Sequence, residues 1–106
     1  MGSVEETARP VVHEMRPVHQ TIESAIPEAL RESLTAYVRY GVPTGGFLRR
    51  VLSNDLFGAM AKADDVNRYL VFAICVYISN AVPECCYGSA SQVEAHLEAA
   101  RTLAGR

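Results

Sequence analysis

The sequence predicts an all-α protein, a compact bundle of about four main helices carrying an extended N-terminal arm. Three observations lead there. Ile26, Leu30, Leu34, Tyr37 and Val38 recur at spacings of four, four, three and one, which draws one apolar face on a helix. Ser89 with Gln92 three residues on is a capping box, and Val93, Leu97 and Ala100 continue from it at helical spacing. The third is the apolar run Tyr69 to Ile78, the one stretch with a rival reading as a strand, because Val, Ile, Phe and Tyr favour pleated surfaces. Asp64 as N-cap and Pro83 as stop decide for a helix.

At 106 residues and 49% hydrophobic composition, the chain has enough apolar material for one core. Residues 1–21 carry Pro10 and Pro17, show no sustained helical period and read as the arm. Residues 22–106 read as a single helical domain. Val11, Val12, Met15 and Val18 stud the arm, so it is expected to lie across a neighbour and promote a homo-oligomer.

The first main helix is expected from Pro27, with Ser24 as an upstream cap and Gly41 as its left-handed end. Val42-Pro43-Thr44-Gly45-Gly46 excludes helix continuation, and Thr44 is placed to cap the helix whose apolar face is Phe47, Leu48, Val51 and Leu52. Ser53-Asn54-Asp55 can interrupt and recap that helix before Leu56 to Lys62. The central helix, apolar on nearly all faces, is expected to be buried all round with Cys75 in the core. Its apolar run is about half of a bilayer crossing, which argues against a membrane span.

A net charge of −2 gives no broad electrostatic footprint for nucleic acid or an anionic membrane. Three cysteines, two of them adjacent, make a poor disulfide framework and point to a reducing, cytosolic compartment. The N-terminus has acids and prolines where a signal peptide needs a basic start and an apolar run.

The sharpest local constellation is Thr44, Gly45 and Gly46 followed by Arg49 and Arg50. Glycines at a helix start expose backbone N–H groups, and an arginine one turn on can grip a phosphate. The bland alternative is a capped turn with solvated arginines. Tyr69 and Tyr77 fall within about 80 degrees on one helix face and could stack a base, against the plainer reading as core aromatics with a polar tip. Cys85 and Cys86 with His96 invite a metal or thiol reading. Zinc sites use wider spacings, however, and adjacent cysteines do not easily reach one tetrahedral ion. No catalytic residue, metal or cofactor is therefore assigned. Asp64 and Asp65 read as cap and dipole complement, and His13 and His19 as surface or interface residues.

Pro43-x-Gly45-Gly46-Phe47-Leu48-x-x-Val51-Leu52-x-Asn54-Asp55-Leu56, then Ala63-Asp64-x-x-Asn67, Tyr77-x-x-Asn80, Pro83 and Cys86-x-Gly88-Ser89 with Val93 form a pattern. In it, residues 42–97 resemble a group of small uncharacterised phage- and prophage-encoded proteins. Tyr87 stands where that group has Trp, and the arm lies outside the match. The resemblance implies a mobile-element accessory protein in the host cytosol that acts by binding, inhibiting or regulating a host protein, anti-defence roles included. The alternative partner is a signalling nucleotide held by Gly45, Gly46, Arg49 and Arg50. A small thiol or metal enzyme is the distant third.

Overall fold

A computed structural model describes residues 10–105; the start of the expected arm, residues 1–9, and Arg106 lie outside the described residues. The described chain is all-helical, and no described helix is long and apolar enough to cross a membrane. The six α-helices among the described residues are α1 (Gln20–Ser24), α2 (Glu28–Tyr40), α3 (Gly46–Leu52), α4 (Leu56–Lys62), α5 (Asn67–Ala81) and α6 (Ala90–Ala104), with a 3₁₀ turn at Glu84–Cys86.

Residues 10–19 have no regular secondary structure, yet they are tied to their own chain. Val12 N–H donates to Arg39 O (2.7 Å) and Arg16 N–H to Ala81 O (2.8 Å). The Arg16 guanidinium donates to Ser79 O and Val82 O. Met15 and Val18 pack against the core. The described part of the arm thus lies across α2 and the C-terminal end of α5 of its own chain.

α1 is an addition that the sequence did not announce. Its cap is the His19 imidazole, which accepts from Thr21 N–H, a role more often filled by Ser, Thr, Asp or Asn. Ser24 therefore ends α1 and does not cap α2, and Pro27 stands at the N-cap of α2 without a side-chain bond. Gly41 ends α2 in the left-handed conformation (φ 70°), as expected.

α3 starts at Gly46 with Gly45 as its N-cap; the Thr44 hydroxyl donates to Gly45 O and leaves the helix N–H groups uncapped. Asn54 (φ 62°) breaks the helical run, and the Asp55 carboxylate accepts from Gly58 N–H (2.9 Å) to begin α4. α5 begins three residues after the expected cap. Asp64 still acts there, accepting from Val66 N–H (3.0 Å) and Asn67 N–H (2.7 Å) to form the turn that leads in. The Ser89 hydroxyl accepts from Gln92 N–H (3.1 Å), so the cap of α6 is the one expected.

The core draws Leu34, Tyr37 and Val38 from α2, Leu48 and Leu52 from α3, Ile74, Tyr77, Ile78 and Ala81 from α5, and Val93, Leu97 and Ala100 from α6. Leu34, Leu52 and Ile74 are fully buried. The expectation that α5 is covered on all sides fails, because Tyr69, Phe72 and Cys75 are exposed.

Candidate functional site

Three places gather residues that could do chemistry or bind. The first is the outward side of α5. Leu70, Val71, Ile74, Tyr77, Ile78 and Ala81 fall at spacings of one, three, three, one and three and turn toward the core. The same helical period puts Tyr69, Phe72 and Cys75, three residues apart, on the other side, where such pairs are surface neighbours. Tyr69 is 83% exposed and Phe72 82%, and Val66 just before the helix is 64% exposed. On α4, Leu56, Phe57 and Met60 are exposed as well, Phe57 at 90%. The stripe ends at Cys75, which lines a cleft of about 320 Å³ together with Val51, Asn54, Ile78 and Tyr87. Tyr69 and Tyr77 are not brought together as one stacking platform, since Tyr77 is buried.

The second is a cleft of about 430 Å³ lined by Gly46, Arg49, Arg50, Ser53, Asp55 and Lys62. It collects the basic residues that the sequence singled out, but pairs them within the chain. Arg49 is ion-paired with Glu94, and Arg50 with Asp55 (2.8 Å). The hydrogen bond from Arg50, then that from Gly58 N–H, holds the Asp55 carboxyl below its usual range. Of the turn residues singled out in the sequence, Gly46 lines this cleft.

The third joins three distant segments. The 3₁₀ turn places Cys85 Sγ 3.9 Å from Cys86 Sγ. Cys85 Sγ is 3.4 Å from His13 Nε2, and Cys86 Sγ is 3.6 Å from His96 Nδ1. His96 and Cys86 are buried, Cys85 is exposed and His13 is half-buried. The other nitrogen of His96 lies 2.6 Å from Tyr37 O; a carbonyl only accepts, so Nε2 carries the proton and Nδ1 offers its lone pair to Cys86. The Tyr37 hydroxyl donates to Cys86 O (2.7 Å) and its ring packs edge-on to His96. Sequence reasoning grouped Cys85, Cys86 and His96 but missed His13. Its only signal was the apolar company of Val11, Val12 and Met15, which lets the arm dock.

Burial pushes the Cys86 thiol up to about 12, with the Cys85 thiol beside it adding to the shift. A nucleophilic cysteine needs the opposite shift, so burial works against a Cys86 thiolate beside His96. Burial lowers the pKa of His96, against the bond to Tyr37 O, which raises it, and with His13 adding to the lowering. A histidine depressed in the folded state binds its proton more readily when unfolded. Stability is therefore expected to be fully present above the ordinary value of 6.5 and to fall as the pH drops below it. Urea denaturation between neutral pH and pH about 5 should show that fall, and a His96→Gln variant should flatten it. An equal fall in the variant would assign the acid sensitivity to other groups.

Comparison of the chain with protein-family models, with curated proteins and with solved structures finds no match in any of the three.

Proposed function

We propose that the chain acts by binding and not by catalysis, presenting Tyr69, Phe72 and Cys75 of α5 and Phe57 of α4 to a protein partner. The exposure of three large aromatic side chains carries this reading. An aromatic residue can bury about 150–250 Å². A chain that keeps three of them in water holds back apolar surface of the kind that marks partner sites. Aromatic residues are also enriched among those that dominate binding energy. The scaffold is read as a bundle whose four main helices are α2, α3, α5 and α6.

The resemblance to phage- and prophage-encoded proteins supplies the class of partner, a protein of the host cell that is inhibited or regulated, with anti-defence action included. The nucleotide reading is the weaker one, because Arg49 and Arg50 each already face a carboxylate. A phosphate would have to displace Glu94 or Asp55 to use them.

The test is a double variant, Tyr69→Ser with Phe72→Ser. Its thermal midpoint should stay within a few degrees of the parent, since exposed substitutions seldom change stability by more than about 0.5 kcal/mol. Its affinity for a host protein recovered by cross-linking, then purified and titrated by calorimetry, should fall by at least about 2 kcal/mol. Equal affinity for parent and variant would overturn the reading. So would light scattering that shows a parent dimer and a monomeric variant, because a second copy would then cover the stripe. Submillimolar nucleotide binding lost in Arg49→Ala with Arg50→Ala would favour the nucleotide reading instead.

A further inference from the structure

We propose that His13, Cys85, Cys86 and His96 form a tetrahedral site for a thiophilic divalent ion, zinc by its donor set, which staples the N-terminal arm to the helical domain. His13, Cys85 and Cys86 place donor atoms within 4.8 Å of one another. His96 Nδ1 lies outside that group but 3.6 Å from Cys86 Sγ, and would close on the ion as the fourth ligand. With zinc–sulfur bonds of about 2.3 Å and zinc–nitrogen bonds of about 2.0–2.1 Å, a tetrahedron has sulfur–sulfur edges of about 3.8 Å and sulfur–nitrogen edges of about 3.6 Å. Three of the six edges, Cys85–Cys86, Cys85–His13 and Cys86–His96, measure 3.9, 3.4 and 3.6 Å here. The spacing objection to neighbouring cysteines is met by the 3₁₀ turn, which brings both sulfurs to one side.

The surroundings fit the same ion. A metal-binding histidine typically donates its second ring N–H to a carbonyl or carboxylate, which fixes the tautomer and the ring, and His96 makes that bond to Tyr37 O. The His13 and His96 rings lie with centroids 5.6 Å apart, so both imidazoles border the same space. Two thiolates and two neutral imidazoles around a divalent ion sum to zero charge, as a half-buried site requires. Binding forms two metal–sulfur and two metal–nitrogen bonds. The two thiol protons pass to the solvent, and nothing is oxidised or reduced.

The ligands come from the arm, the 3₁₀ turn and α6, so the ion would cross-link segments some eighty residues apart in the chain. Its loss should loosen the arm without dismantling the helices, because the arm is otherwise held by the backbone bonds of Val12 and Arg16, the Arg16 guanidinium and the packing of Met15 and Val18, none of which lies within a helix ladder.

The experiment uses the full chain, purified under reducing conditions and stripped with a chelator. Titration with cobalt(II) should give the visible bands of a tetrahedral ion and a thiolate charge-transfer band. These should saturate near equivalence, be displaced by zinc, and release about two protons per ion. Zinc should raise the thermal midpoint, and arm cleavage by a protease should slow when zinc is present. His13→Asn and Cys85→Ser, both at the solvent side of the site, should keep the fold and lose at least tenfold to hundredfold in affinity, the loss that even outer-shell changes produce, about that scale at minimum. Cys75→Ser should bind as the parent does. An octahedral cobalt spectrum, no spectral change, or binding unaltered in His13→Asn and Cys85→Ser would each overturn the proposal.

Discussion

Ile74→Ala is expected to cost about 2 to 5 kcal/mol, while Phe72→Ala, two residues earlier on the same helix, is expected to change stability by less than about 0.5 kcal/mol. Ile74 has no exposed surface and belongs to the cluster formed by α2, α3, α5 and α6, so truncation removes buried methylenes and leaves a cavity. Phe72 is larger, but 82% of it is already in water, and Ala is the better helix former. Size alone would rank the two changes the other way round. Urea denaturation of both variants separates the cases. Similar losses would mean that the outward side of α5 is covered in solution, and a loss under about 1 kcal/mol for Ile74→Ala would mean that α5 does not enter the core as described.

That contrast also shows what the sequence could and could not reveal. The apolar run from Tyr69 to Ile78 was visible as a helix, bounded by Asp64 and Pro83, but its apolarity says nothing about how much of it the chain's own helices cover. Here they cover Ile74, Tyr77, Ile78 and Ala81, leave Tyr69 and Phe72 outside, and put Cys75 at a cleft rim. The capping signals were legible at Ser89, whose hydroxyl accepts from Gln92 N–H, and at Gly41, whose left-handed backbone needs the absence of a side chain. They misled at Thr44, whose hydroxyl bonds to Gly45 O. α1 escaped notice because an imidazole caps it.

The same limit applies to the candidate sites. Glycines and arginines near α3 were legible as a group, but the carboxylates that face them, Asp55 at the start of α4 and Glu94 on α6, decide how much charge is left for a ligand. Cys85, Cys86 and His96 were legible as neighbours in chemistry. The fourth member, His13, arrives with the arm, whose apolar residues hinted that it docks but whose register on α2 and α5 is set by the backbone bonds of Val12 and Arg16, for which side-chain patterns carry no signal.

Backbone constraint also operates at Gly41, and Gly41→Ala is expected to destabilise the protein by about 2 to 5 kcal/mol. Two causes combine. Gly41 has φ 70°, a left-handed conformation that costs a residue with a Cβ about 1 to 2 kcal/mol. An added Cβ would also collide with Ala100 Cβ on α6, and Ala100 is itself buried. The second cause can be relieved independently of the first. Ala100→Gly alone should cost about 1 kcal/mol, the usual penalty for glycine in a helix. The double variant should then be more stable than the two single losses predict, by about 1 to 3 kcal/mol, because the collision is gone and only the backbone penalty remains. Denaturation of the parent, both single variants and the double variant gives that coupling directly. Losses that add within about 0.5 kcal/mol would show that α6 does not pass against the end of α2 at this point. The Tyr37 carbonyl, four residues before Gly41, would then no longer be positioned to fix His96, and the fourth ligand of the proposed metal site would lose its support.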